Sequence, residues 1–289
     1  MPGVSDALVV ALCAVAGLLV APFLTTLILE VPDKRPVRWP NLREHPPILY
    51  WLRAADGPGP PTSPVVTALP DEIEAPDEDQ VHDQDPGQDQ DDREAEARGR
   101  PLPRLGGLVV EIASPVLFAL AGVRFGASAV VVPFCVLFAS LLVVSVIDIE
   151  HYRIPDRIVF PTLAISLPLI VAVSFGLGAP EAVGYALVGA GAYFALLFLA
   201  HIVYPAGMGF GDVKLALVMG LFLGWIAPDP VRAVTLVLFA LMIGCVLGVV
   251  VGGALALVRR KNAAFPFGPA LAASTVVAVL FSNQILGLD

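Results

Sequence analysis

Charge is what this chain has least of. Only 15% of its 289 residues are Asp, Glu, Lys or Arg, against 57% apolar, and the mean hydropathy is +0.80. That balance lies outside the range of water-soluble globular domains. Cysteine is scarce too. Cys13, Cys135 and Cys245 all fall inside apolar runs and none stands at C-x-x-C spacing, so neither a zinc site nor a disulfide framework is indicated and buried packing is the expected role of each. No Lys or Arg precedes the first apolar run, in MPGVSDAL, and that run is about twice as long as a secretory h-region. A retained helix is expected there. No metal ligand set and no nucleic-acid partner are expected anywhere in the chain.

Long apolar runs are what the chain has in abundance. Stretches of roughly 18 or more residues, enough for a helix to cross ~30 Å of hydrocarbon, recur at 5–29, 105–123, 127–147, 158–177, 181–203, 214–227, 232–257 and 267–286. The expected fold class is an all-α polytopic membrane protein of about eight transmembrane helices. Fifteen of the seventeen Lys and Arg residues fall in alternate loops, with only Arg124 and Arg232 on the other side. The positive-inside rule makes those basic loops cytoplasmic and places both termini outside. The net charge of -9 has a local origin, because 13 of the 26 acidic residues lie between Asp71 and Arg100 with Pro, Gln and Gly interleaved and no aromatic. Such a segment cannot bury enough apolar area to offset chain entropy, so a disordered insert is expected at 71–100. The expected organisation is a first transmembrane helix at 1–30, a cytoplasmic loop at 31–104 carrying that insert, and a seven-helix membrane core at 105–289.

An ionisable residue in or beside a membrane span is costly, which makes each one a functional candidate. Glu111 lies within the second expected span, Asp148 and Glu150 end the third, Asp156 precedes the fourth, His201 ends the fifth and Asp212 opens the sixth. Under the orientation above, Asp148 and Asp212 sit at the cytoplasmic ends of their helices and can converge. Two carboxyls sharing a proton suit an aspartyl protease: the ionised one activates water and the protonated one donates to the scissile carbonyl. Three glycines, Gly207, Gly209 and Gly211, stand in front of Asp212. Their lack of side chains would let a substrate backbone approach and would permit a non-helical start to the sixth span. Glu150 and His151 are expected to be solvated on a helix-end loop, and His201 to serve a helix contact. Glu111 should have a hydrogen-bonded partner within the bundle. Gly244, Gly248 and Gly252 repeat every four residues and mark a face for close helix packing.

These stretches resemble the type IV prepilin peptidases, membrane aspartyl proteases of the G-x-G-D type. GMGFGDVKLA is similar to the family's second motif, and IDIEHYRIPD to the first, an aspartate followed seven residues later by Pro-Asp. The resemblance puts the catalytic aspartates at Asp148 and Asp212. Pro155, Asp156, Gly207, Gly209, Gly211, Lys214 and Glu111 would be substrate-binding or supporting residues. LPRLGGLVVEIASPVLFAL, with Glu111, looks like the second-helix signature, and AFPFGPALA like the opening of the last helix. The resemblance implies removal of a short, basic cytoplasmic leader from prepilins or pseudopilins, after a glycine that precedes a hydrophobic helix. It also implies a multi-pass protein of the bacterial inner membrane with its site facing the cytoplasm.

Many members carry two C-x-x-C pairs in the first cytoplasmic loop and N-methylate the new N-terminus with S-adenosylmethionine. This chain has no cysteine in that loop, which removes zinc and weakens the methyltransferase assignment. The stretch WPNLREHPPILYWLR there reads as interfacial, since Trp and Tyr favour headgroup depth. Proteolysis itself calls for no cofactor. The substrate helix and the bilayer are the expected partners. A proton-coupled transporter, with a relay through Glu111, Asp148 and Asp212, is the rival class. A presenilin-like protease of broader specificity is a third reading.

Overall fold

The computed structural model describes residues 4–32, 103–205, 208–259 and 266–288. The acidic insert, the Trp-containing stretch before it and Gly207 lie outside the described residues. Among those described there is no strand, and the helices run α1 Val4–Glu30, α2 Pro103–Phe125, α3 Val131–His151, α4 Asp156–Gly176, α5 Glu181–Val203, α6 Phe210–Trp225, α7 Pro230–Arg259, α8 Gly268–Leu280 and α9 Ser282–Leu286. Among the described residues five stretches, in α1, α3, α4, α5 and α7, are long and apolar enough to cross a membrane. The chain is an all-α polytopic membrane protein.

With sixteen residues, α6 is only about 24 Å long. It is nevertheless buried almost throughout, from Asp212 to Trp225. A helix that is apolar on every side belongs at the centre of a bundle, and glycines bring its neighbour close. A Cβ on Gly189 of α5 would stand 2.7 Å from Gly224 Cα and would collide with the carbonyl oxygen of Gly220. Backbone therefore packs on backbone between α5 and α6, the arrangement small residues allow in membrane helices. Gly244, on the face expected from the sequence, lies against Leu271 and Ser274 of α8, where a Cβ would meet both at 3.0 Å. At the N-terminal half of the bundle, the buried Ser114 hydroxyl donates to the Gly17 carbonyl at 2.8 Å and fastens α2 to α1.

Two of the expected boundaries move. The third span was expected at 127–147 with Asp148 at its end, but α3 continues to His151, so Glu150 and His151, expected on a helix-end loop, are helical. Hydropathy marks only the apolar part of a helix, while backbone hydrogen bonding continues until something stops it. Here the stop is Tyr152, at φ 52, whose N–H donates to the Asp148 carbonyl at 2.9 Å. The last expected span, 267–286, is broken after Leu280. There the Arg124 guanidinium donates to the carbonyl of Val279 at 3.3 Å and to Ser282 Oγ and Asn283 Oδ1 at 2.8 Å each, so side-chain donors replace the continuing helix. A third correction concerns the cysteines: Cys13 is buried, but Cys135 is half-buried and Cys245 is exposed on α7. Cys245 shares its stretch of α7 with exposed Met242, Val246 and Val249, so it belongs to the outer face of the bundle and not to its core.

Candidate active site

Helices α3 and α6 run antiparallel. Phe134, near the start of α3, meets Phe222, near the end of α6, with ring centroids 5.1 Å apart. At the other end Asp148 lies near enough to Asp212 for its charge to act on the Asp212 carboxyl. Each carboxylate is almost fully enclosed, at 6% exposure. They are held differently. Asp148 Oδ2 accepts a hydrogen bond from the backbone N–H of Gly268 at 3.0 Å. Gly268 is the first residue of α8, where helical N–H groups have no partner inside the helix and the dipole favours negative charge. Asp212 lies in the first turn of α6, after Gly209 in extended conformation. Its Oδ1 is buried and accepts no hydrogen bond from any described residue.

A shared residue links the two carboxylates. A Cβ on Gly211, the neighbour of Asp212, would stand 2.8 Å from Ile154 Cβ. A Cβ on Gly268 would stand 2.7 Å from Asp148 Oδ2 and 3.4 Å from Ile154 Cδ1. Ile154 is thus wedged between the glycine that precedes one aspartate and the glycine that holds the other. This corrects one reading of the glycine run, because the space left by Gly211 is filled by the protein's own Ile154. Gly209 does lie beside the carboxylate, with the position of its absent Cβ 3.6 Å from Asp212 Oδ2.

Asp156 and Lys214 meet each other. Lys214 Nζ donates to both Asp156 oxygens, at 2.8 and 2.7 Å, and stands 5.5 and 5.2 Å from the ring centroids of Phe160 and Phe210. Pro155 fixes the start of α4 in extended backbone at φ -77, as a proline preceding a helix should. Beside the pair lies a cavity of about 570 Å³ lined by Val31, Arg153, Ile154, Arg157, Phe210 and Gly211 among others. Among the described residues that line it, the only carboxylate is Asp156, already tied to Lys214.

His201 makes a helix contact as expected, its ring centroid 5.5 Å from that of Phe210 on α6, and in addition its Nδ1 lies 2.9 Å from the Met208 carbonyl, so the ring N–H donates into the glycine-rich loop. It fastens that loop to the end of α5. Glu111 is half-buried on α2 and is not without a partner. Glu150 is half-buried in the last turn of α3, while His151 is exposed. No group of three or more His, Cys, Asp or Glu among the described residues could hold a metal ion. Sequence reasoning missed Gly268 and Ile154. The only signal for Gly268 was its place in AFPFGPALA, and Ile154 carried none beyond its position between two motif residues.

Comparison with known proteins places the same residues in one frame. Residues 135–253 match the profile described as Type IV leader peptidase family, a stretch that contains Asp148, Asp156, Asp212 and Lys214 and stops short of Gly268. A protein of Bacillus subtilis (strain 168) named prepilin leader peptidase/N-methyltransferase is 35% identical over 179 residues, 61% of this chain and 66% of the relative. A protein of the same name from Pseudomonas putida is 34% identical over 183 residues, 61% of this chain and 59% of its own length. The chain therefore matches less than two thirds of the length of either relative. No solved structure matches.

Proposed function

The chain belongs to the type IV leader peptidase family, and on that premise we propose that it is a membrane-embedded aspartyl endopeptidase with Asp148 and Asp212 as its catalytic pair. One observation carries the reading. Two nearly enclosed carboxylates from antiparallel helices come together at one end of the bundle, one bonded by a helix N-terminus and the other with a buried, unbonded oxygen. In an apolar chain an uncompensated buried carboxylate is costly, so an arrangement that keeps two of them together points to use.

In the proposed reaction one carboxylate takes a proton from water as the water oxygen attacks the scissile carbonyl carbon, and the other donates a proton to the carbonyl oxygen. Collapse then returns a proton to the departing amine. The substrate is a prepilin or pseudopilin, cut after a glycine where its hydrophobic helix leaves the membrane, with loss of a short basic leader. The distribution of Lys and Arg supports an orientation with both termini outside and the pair at the cytoplasmic face of the bacterial inner membrane. With eight spans, 105–289 would form the protease core, 1–30 the first helix, and 31–104 a cytoplasmic loop. A transporter is not favoured, since the family match runs through both aspartates.

N-methylation would require S-adenosylmethionine, which carries an ammonium, a sulfonium and a carboxylate and is a cation overall. Among the described residues that line the cavity beside Lys214, the cations Arg153, Arg157 and Lys214 outnumber the one, already paired, carboxylate, a balance that does not favour a cationic ligand. No step of the proposal passes through that cofactor.

Cleavage of a co-expressed prepilin by the wild type, Asp148→Asn and Asp212→Asn tests the reading, with membrane insertion checked and products followed by gel shift and N-terminal mass. Both variants should insert and lose at least about a thousandfold in activity, the scale expected for groups acting as a unit. An inserted variant that still cuts at the same site overturns the two-aspartate reading. The product mass reports methylation separately.

A further inference from the structure

We propose that Lys214 and Asp156 are positioning residues: they form a clasp across α4 and α6 that sets the gap between Asp148 and Asp212, and they do not anchor the substrate. This rests on the proposed proteolytic reading of the site. Lys214 follows Asp212 by two residues on α6, and Asp156 opens α4 at the far end of the short connection from α3. The clasp therefore ties the helix bearing one aspartate to the chain leaving the helix that bears the other. Residues 152–155 join the end of α3 to Asp156, and this stretch carries Ile154 into the space beside Gly211 and Gly268. Opening the clasp frees the connection to shift. Any shift of Ile154 moves the support of both carboxylates.

The charges are matched to each other rather than to a ligand. Both Asp156 oxygens are taken by the one ammonium, and the ammonium also lies within reach of rings from α4 and α6, a favourable placement for a cation. Among the described residues lining the cavity, a basic leader would find no free carboxylate. Stability is not the main effect of the pair either. Its side chains are 23% and 52% exposed, and pairs so open to water contribute little to folding. A geometric role remains, and small misplacement of reacting groups is enough to lower a rate severely.

The test is a double-mutant cycle in the full-length, membrane-inserted protein, using Lys214→Met, Asp156→Asn and both together, with Lys214→Arg as the conservative control. Each single variant should lower kcat about tenfold with KM changed by less than about twofold, and the double variant should be no worse than either, as coupled residues behave. Lys214→Arg should keep most of the activity. Spin labels at the exposed Arg157 and Tyr204 positions, in a cysteine-free background, should give a broader distance distribution in Lys214→Met than in the wild type. A raised KM at unchanged kcat would reveal a substrate contact and overturn the clasp, as would losses that multiply in the double variant. If the wild type cuts no prepilin, the proteolytic reading fails, and the label distances judge the clasp alone: broadening supports it, and an unchanged distribution overturns it.

Discussion

The two ends of the α3–α6 pair are built on opposite plans. At one end Phe134 stacks on Phe125 at 4.3 Å and on Trp225 at 5.8 Å, and meets Phe222 edge-on. Even the polar atom there is satisfied, since Trp225 Nε1 donates to Ser174 Oγ at 2.8 Å. At the other end the same helices carry Asp148 and Asp212, a cavity and an oxygen with no partner among the described residues. Fourteen residues of α3 separate Phe134 from Asp148, about 21 Å along the helix. Over that distance the pair changes from a closed aromatic core to an arrangement of groups that packing alone would not select. The closed end stabilises the bundle. In the proposed reading the open end carries the chemistry, and the rigidity of the first is what lets the second hold two carboxyls together.

Four substitutions can break or sharpen this contrast, apart from the aspartates and the clasp. The largest stability effect should come from Phe134→Ala, whose side chain is completely buried. It should cost about 3–5 kcal/mol, the range for truncating a buried aromatic, read as a lower midpoint of thermal unfolding in detergent. Activity per folded molecule should stay near the wild type. Gly268→Ala should do the reverse. Its new Cβ would stand 2.7 Å from Asp148 Oδ2, so the carboxylate must turn away, and a loss in kcat of about ten- to a hundredfold is expected with little change in melting. If Gly268→Ala melts early and Phe134→Ala loses its rate, the division of labour between the ends is wrong. The smallest effects separate the two glutamates. Glu111→Gln should lower activity or stability measurably and Glu150→Gln by less than about twofold, because a surface or helix-end substitution away from packing and partners usually changes little; equal effects would show that the half-buried Glu111 has no special place.

Some of the site was legible because the chain is so apolar. Against that background Asp148 and Asp212 stand out, and the alternation of basic loops assigns them to one end of the bundle before any coordinates are known. The clasp was less legible. Asp156 and Lys214 were visible as motif residues, but 58 positions separate them, and nothing in their spacing says that each is the other's partner. Gly268 and Ile154 were not legible as site residues at all. One acts through a backbone N–H that every residue except proline possesses, the other through shape.

The sequence by itself determined that this is a helical membrane protein and which carboxylates are exceptional in it, because hydrophobic length and the cost of buried charge are local properties that can be read one segment at a time. Where the helices stop, which glycines bring α5 against α6, and what holds each aspartate were decided only by tertiary structure. Those outcomes depend on contacts between segments far apart in the chain, such as Gly268 with Asp148 and Arg124 with Ser282. A hydrogen bond or a close approach exists only once both partners have been placed, and one-dimensional spacing does not contain that information.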